Sequence, residues 1–372
     1  MPGIMPRSST PWNWPHLVAC LLVAVTAVLL GFGALVTTYE AAMAVPDWPA
    51  TYGHNMFLFP LAEWLHGPWD LFLEHGHRLL GALAGMITLV LAGLVWWRGG
   101  SPAVRALAVA AVLLVIGQGV LGGARVLLDD KTVAKVHACT GPLFFAVAVA
   151  LATLTRRNAA HSVYQLGVRQ PGVRRRGAPW PAGWSAAALA VAAYLQLVAG
   201  AQLRHLDRAI DPGTFHGLVA LHVAGAVAVL ALVLGVVSAT ARGRHESPAS
   251  WWWARGLLLV IGGQWMLGLA TWAVKWGVPS GMLPEAWQFT GPLVARSASG
   301  AAIVTGHVLL GMLILGGSVV LAIVSGGLGS VRLGSVGLGS VGLGSGELKR
   351  IGVWRRGRVA EETVAGKERG FA

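Results

Sequence analysis

Charge is what this sequence has least of. Only 12% of its 372 residues are Asp, Glu, Lys or Arg, against roughly 25% in a soluble globular domain. With 55% hydrophobic residues, that scarcity excludes a soluble enzyme, a disordered chain and a collagen-like fibre. Cysteine is nearly absent: Cys20 and Cys139 both stand inside apolar segments, so neither a disulfide framework nor a zinc site can be assembled from them. Acidic residues are few, 15 against 28 basic ones. The basic excess is spread through short loops between apolar stretches rather than gathered on a folded face, which excludes nucleic acid as a partner and leaves membrane lipid.

Long apolar runs are what the chain does have. A spanning helix needs about 20 mostly apolar residues, and eight windows qualify: 17–37, 77–97, 106–127, 137–155, 182–203, 216–240, 256–275 and 301–325. The first is read as a retained span, since it follows a single Arg and offers only a weak cleavage site at 39–43. With both termini placed in the cytoplasm, 20 of the 28 Lys and Arg fall on that side, including Arg174, Arg175 and Arg176. The stretch from Thr38 to Leu73 holds Glu40, Asp47, Glu63 and Asp70 and no Lys or Arg, as an outer loop should. The expectation is an all-α integral membrane protein of the inner (plasma) membrane, multi-pass, with eight transmembrane helices as two pseudo-symmetric four-helix bundles. Its divisions are a cytoplasmic N-terminus (1–16), a first half (17–155), a basic cytoplasmic loop (156–181), a second half (182–325) and a tail (326–372). The tail repeats Gly-Leu-Gly-Ser-Val and then turns basic, reading as a linker and a headgroup-binding end.

Four histidines recur at similar places in the even-numbered spans: His77-Arg-Leu-Leu-Gly81, His137-Ala-Cys-Thr-Gly141, His307-Val-Leu-Leu-Gly311 and the near match His222-Val-Ala-Gly225. The odd spans repeat too, with Gln118-Gly-Val-Leu-Gly122, Gln196-Leu-Val-Ala-Gly200 and Gln264-Trp-Met-Leu-Gly268, and a degenerate copy around Gly31. A lone membrane histidine most simply hydrogen bonds between helices. Four at matched positions point instead to two bis-histidine haem sites, one in each four-helix half. The glycine one turn below each histidine lets a porphyrin plate or a neighbouring helix approach the backbone. Gly117-Gln-Gly119-Val-Leu-Gly122 formally matches a dinucleotide fingerprint, but it lies within a span and follows no strand. His216 competes with His222 for the ligand role, while His54, His66, His75 and His205 read as outer or interfacial and His16, His161 and His245 as cytoplasmic.

The halves differ in one respect. Glu74, His77 and Arg78 share one helical face, whereas Val219 and Val304 stand three before His222 and His307. Glu74 is thus a candidate carboxylate beside a reacting haem and Arg78 a candidate partner for a haem propionate. The simpler alternative is an interfacial ion pair worth at most about 1 kcal/mol.

These segments carry a resemblance. Ala-Val-Pro-Asp-Trp-Pro at 44–49, Glu-His-Gly-His-Arg at 74–78, Val-His-Ala at 136–138 and the His222 and His307 helix starts together resemble the haem A synthase family of cytochrome oxidase assembly, over about 17–325. The resemblance implies a haem b cofactor in the second half, ligated by His222 and His307, and a substrate haem o in the first, flanked by His77 and His137. Glu74 would be the catalytic carboxylate. It implies oxidation of the C8 methyl of haem o to a formyl group, giving haem a, with haem o synthase and cytochrome oxidase assembly factors as partners. Two departures stand out. Some members hold a cysteine pair in the first outer loop, absent here, and Val223 follows His222 where Arg is common, leaving one propionate's partner open between Arg204 and Arg208. Two other functions fit paired histidines: a dihaem cytochrome b passing electrons from quinol, and a haem transporter or chaperone. A pure electron carrier has no need of Glu74 beside a haem.

Overall fold

The computed structural model describes residues 12–156, 182–206, 210–242, 244, 248–277 and 297–325. Most of the basic loop, all of the 326–372 tail, Arg208, His161 and His245 therefore lie outside the described residues. Nine helices are described: α1 (Trp14–Thr38), α2 (Leu61–His66), α3 (Trp69–Trp97), α4 (Pro102–Leu128), α5 (Lys131–Leu154), α6 (Ala182–Arg204), α7 (Pro212–Arg242), α8 (Pro248–Trp276) and α9 (Ala298–Val324). All but the six-residue α2 are long and apolar enough to cross a membrane. The protein is a multi-pass helical membrane protein, and no strand occurs among the described residues.

Local chemistry sets the helix starts. Pro15, Pro102, Pro212 and Pro248 stand in first turns, where a missing N–H costs nothing. Ser101, Asp130 and Ser297 cap α4, α5 and α9 by accepting from Val104, Val133 and Gly300 N–H. The turn between α4 and α5 is only Asp129-Asp130, with Asp129 left-handed at φ 44°, so the two helices must be antiparallel neighbours. Several helices run further than the apolar windows, α3 by eight residues, because hydropathy ends at polar side chains while hydrogen bonding continues through those that find partners. His77 therefore sits inside α3 rather than at its first residue. The four histidines lie six to ten residues beyond their helix starts, about 9–15 Å along the axis at 1.5 Å per residue, and His222 is not exceptional.

The spans pack in two rings, α1–α3–α4–α5 and α6–α7–α8–α9, joined where α1 and α5 meet α6 and α9. Each ring has its own apolar cluster. Leu22, Leu91, Ala111, Phe144 and Leu151 belong to the first, and Leu189, Val233, Leu257, Ile261 and Leu315 to the second. Phe144 and Phe145, about 100° apart on α5, enter different clusters, so α5 belongs to both cores. Gly316 lets α9 approach Phe145 across the seam, where a Cβ would lie 3.1 Å from the ring. Both clusters use the early residues of α1, α4, α6 and α8 and the late residues of α3, α5, α7 and α9. They fill the end of each bundle remote from the histidines and leave the histidine level outside the close-packed apolar core.

Candidate functional site

The histidines come together in two pairs. His77 of α3 and His137 of α5 have ring centres 6.3 Å apart with planes at 81°. His222 of α7 and His307 of α9 are also 6.3 Å apart, at 70°. Metal to imidazole nitrogen bonds of about 2 Å, with ring centres about 1 Å beyond each nitrogen, put two rings on one metal about 6 Å apart. Nδ1 of His137 and of His307 are buried without a hydrogen-bond partner, so both imidazoles retain donor capacity. Among the described residues no three His, Cys, Asp or Glu converge. Two facing imidazoles without a third side-chain ligand suit an iron that brings its own macrocycle. The residues present fit a haem in each half.

His216 does not take part in either pair. It is exposed, with its ring against Phe215, and His307 faces His222. The glycines one turn below the histidines serve helix packing: a Cβ at Gly225 would collide with Gln196 Oε1, at Gly311 with Leu197 and at Gly141 with Leu30, while only Gly81 faces open space. The repeated glutamines lie beside the pairs. Gln196 Nε2 donates to the His222 carbonyl at 2.8 Å and lies 3.1 Å from its Nδ1, and Gln118 Nε2 donates to Thr140 Oγ1.

Glu74 and Arg78 form an ion pair at 2.9 Å with side chains only 5% and 9% exposed, so the solvated interfacial pair does not describe them. Removing one partner of a buried pair costs about 3–5 kcal/mol. Glu74 Oε1 accepts from Arg78, and Oε2 accepts from Val45 N–H at 2.9 Å. Arg78 also donates to the carbonyls of Val45, Asp47 and Ala50, placing four of its five N–H donors within the protein. Arg78 and Glu74 thus bind the loop between α1 and α2 to the first turns of α3, beside His77. The same loop is held by its own turn. Asp47 accepts from Tyr52 and Gly53 N–H; burial works against ionisation of Asp47, but these donors outweigh it and hold the carboxyl below its ordinary range.

Residues that the sequence did not single out complete this end. Arg125 of α4 donates to the Ala42 carbonyl and lies close enough to Glu74 and Arg78 to interact with both charges. The Trp48 indole covers Gly123, where a Cβ would collide with the ring. Gly122 and Gly123 thus serve different partners, His137 and Trp48. His75, expected at the interface, is buried at 2% exposure, bonded to Thr51 Oγ1 and packed between Phe59 and Trp64. A lone Arg inside an apolar span was the available signal for Arg125; Trp48 stands in the 44–49 segment that carries the resemblance, but nothing local placed its ring on Gly123. Arg204, a candidate propionate partner, donates through one guanidinium nitrogen to Ala34 O at 2.8 Å and Thr38 Oγ1 at 3.2 Å near the end of α1, tying the second ring to the first.

A family model described as cytochrome oxidase assembly protein, COX15-CtaA, matches residues 16–218. That span includes the first histidine pair and stops just before His222. Among curated proteins, a heme A synthase of Halalkalibacterium halodurans is 26% identical over 256 residues, covering 63% of this chain and 79% of the relative. One of Alkalihalophilus pseudofirmus is 27% identical over 269 residues, covering 67% and 83%, and one of Shouchella clausii is 34% identical over 127, covering 33% and 39%. Because the family match takes in more than half of the chain and includes the segments that build the first site, the chain belongs to the COX15-CtaA family of cytochrome oxidase assembly proteins, alongside these haem A synthases.

Proposed function

We propose that this protein is a haem A synthase, an oxidoreductase that converts the C8 methyl of haem o to the formyl group of haem a, a net four-electron oxidation in which the methyl gains the oxygen of one water, protons are released and an external oxidant takes the electrons. The observation that carries the reading is the pair of 6.3 Å histidine contacts, one in each half, with the buried carboxylate of Glu74 three residues before His77 in the first. His77 and His137 flank the substrate haem, and His222 and His307 ligate haem b. Haem b, when bound, supplies one-electron chemistry to the enzyme. The chain's own residues do the rest. The loop held by Arg78 closes water away from the outer end of the first site, and Glu74 stands one turn before His77 where it can accept a proton as the methyl is oxidised. Glu74, Arg78 and Arg125 together carry one net positive charge, which favours the carboxylates of haem propionates at that end. The orientation we assign puts both termini and the 156–181 loop in the cytoplasm of a cell whose inner membrane holds the protein, with haem o synthase and cytochrome oxidase assembly factors as partners.

Extraction of haems after co-expression with a haem o synthase tests the reaction: haem a is expected, and haem o alone, with both sites loaded, speaks for the dihaem electron carrier that equal histidine pairs would also serve. Reporter fusions test orientation. A fusion near residue 50 is expected to report outside and one near 170 inside; an external signal near 170 overturns the assignment.

A further inference from the structure

Four glycines stand in one repeated geometry. A Cβ built at Gly33 would lie 3.0 Å from Cε1 of His77, at Gly122 3.3 Å from Cε1 of His137, at Gly200 3.2 Å from Cε1 of His222 and at Gly268 3.1 Å from Cε1 of His307. In each case Cε1 is the nearest atom and Nδ1 the next, at 3.5 to 3.8 Å. The glycine always comes from the span preceding that of its histidine: α1 serves α3, α4 serves α5, α6 serves α7 and α8 serves α9. Three of the four close the Gln-x-x-x-Gly repeats. In α1 the matching residue is Leu29, four before Gly33, and its carbonyl lies 3.3 Å from His77 Nδ1. The degenerate first copy is therefore Leu29 to Gly33, in register with the others.

We propose that Gly33, Gly122, Gly200 and Gly268 are positioning residues for the iron ligands. Each leaves bare backbone against which the Cε1 edge of one imidazole is seated, so that the ring plane is set by the neighbouring helix as well as by its own rotamer. This rests on reading the two pairs as haem ligands. Any side chain at these positions makes contacts tighter than Cβ atoms normally tolerate, so the ring must yield by a few tenths of an ångström. An imidazole has no flexible end to move aside. It must tilt as a unit, changing the angle it presents to the metal and to its partner ring. Buried polar and packing contacts of this kind orient metal ligands as firmly as the ligands hold the metal.

Two glycines on the same helices give controls. A Cβ at Gly262 of α8 or Gly117 of α4 would meet nothing within 4 Å, so Gly262→Ala and Gly117→Ala alter the backbone preference without touching a histidine. In the full chain purified with haem b, Gly268→Ala and Gly200→Ala are expected to shift the largest g value of the low-spin ferric signal and to weaken haem b retention by about 10-fold, while Gly262→Ala matches the wild type. In the haem-free chain labelled with 13C at histidine Cε1, the His307 resonance should move in Gly268→Ala and stay in Gly262→Ala. Should Gly268→Ala not fold, Gly200→Ala with His222 and Gly122→Ala with His137 make the same comparison. Unmoved Cε1 resonances with wild-type g values overturn the glycine assignment and leave the ligand reading intact. A wild-type chain without any low-spin signal overturns the ligand reading, and the haem-free resonances then decide by themselves whether the glycines seat the rings.

Discussion

Glu74→Gln leaves haem b bound and the protein folded but abolishes haem a formation, with haem o or a hydroxylated intermediate accumulating. This is the expected result because Glu74 is buried at 4% exposure, one turn before His77, in the half of the molecule assigned to the substrate. A carboxylate removed from water there interacts strongly with charge that develops beside it, and a methyl can become a formyl group only if protons leave with the electrons. Its two hydrogen bonds do not exhaust it, since an ionised carboxylate offers about four lone-pair sites. The loop should survive the substitution although Arg78 loses its counter-charge, because Gln is isosteric and keeps an oxygen that can accept from Arg78 or from Val45 N–H, and Arg78 still donates to the Val45, Asp47 and Ala50 carbonyls. Asp47→Ala separates the alternatives, because it loosens the 47–53 turn without altering the carboxylate. If Asp47→Ala reproduces the whole loss of haem a, or if Glu74→Gln keeps near-normal yield, Glu74 is a structural anchor and not a catalytic group.

His307→Ala should lose most of the low-spin haem b spectrum while the protein still purifies as a helical, membrane-extracted species. The mutation removes one of two facing ligands in the second half and leaves His222 with no opposing imidazole. The exposed His216 has its ring against Phe215, so His216→Ala is expected to keep a normal spectrum. The reverse outcome, with haem b retained in His307→Ala and lost in His216→Ala, would overturn the ligand set. Folding should withstand the change because the second apolar cluster, built on residues such as Leu189, Val233 and Leu315, occupies the opposite end of the bundle. Helical content by circular dichroism checks that point in the same preparation.

The membrane class and the eight spans were legible because each span must satisfy its backbone internally and be apolar for about 20 residues; that is a local property, written in consecutive residues. The windows nevertheless ended short at α3, since Asp70, Glu74 and His75 look like loop residues until their partners are known. The six-residue α2 gave no signal, as one and a half turns carry no usable periodicity. The four histidines were visible through repetition alone. Their assignment to pairs followed from the division into halves and from the resemblance, but how closely the rings approach did not, since helices 60 to 85 residues apart in sequence meet only through the packing of whole rings.

By itself, then, the sequence determined the number of spans, the positions of the histidine repeats and the chemical difference between the halves that Glu74 makes. Tertiary structure alone decided how closely the paired rings approach, 6.3 Å in each half, that His222 rather than His216 opposes His307, and that Arg78 and Glu74 fasten a loop from about thirty residues away. It also decided that Arg204 reaches α1 and that four glycines on neighbouring helices touch the four rings. The physical reason is the same in each case. Apolarity and helix periodicity are summed along the chain, but a ring seated on a bare backbone or a guanidinium filled by distant carbonyls depends on the lateral distance between helices, which no single segment encodes.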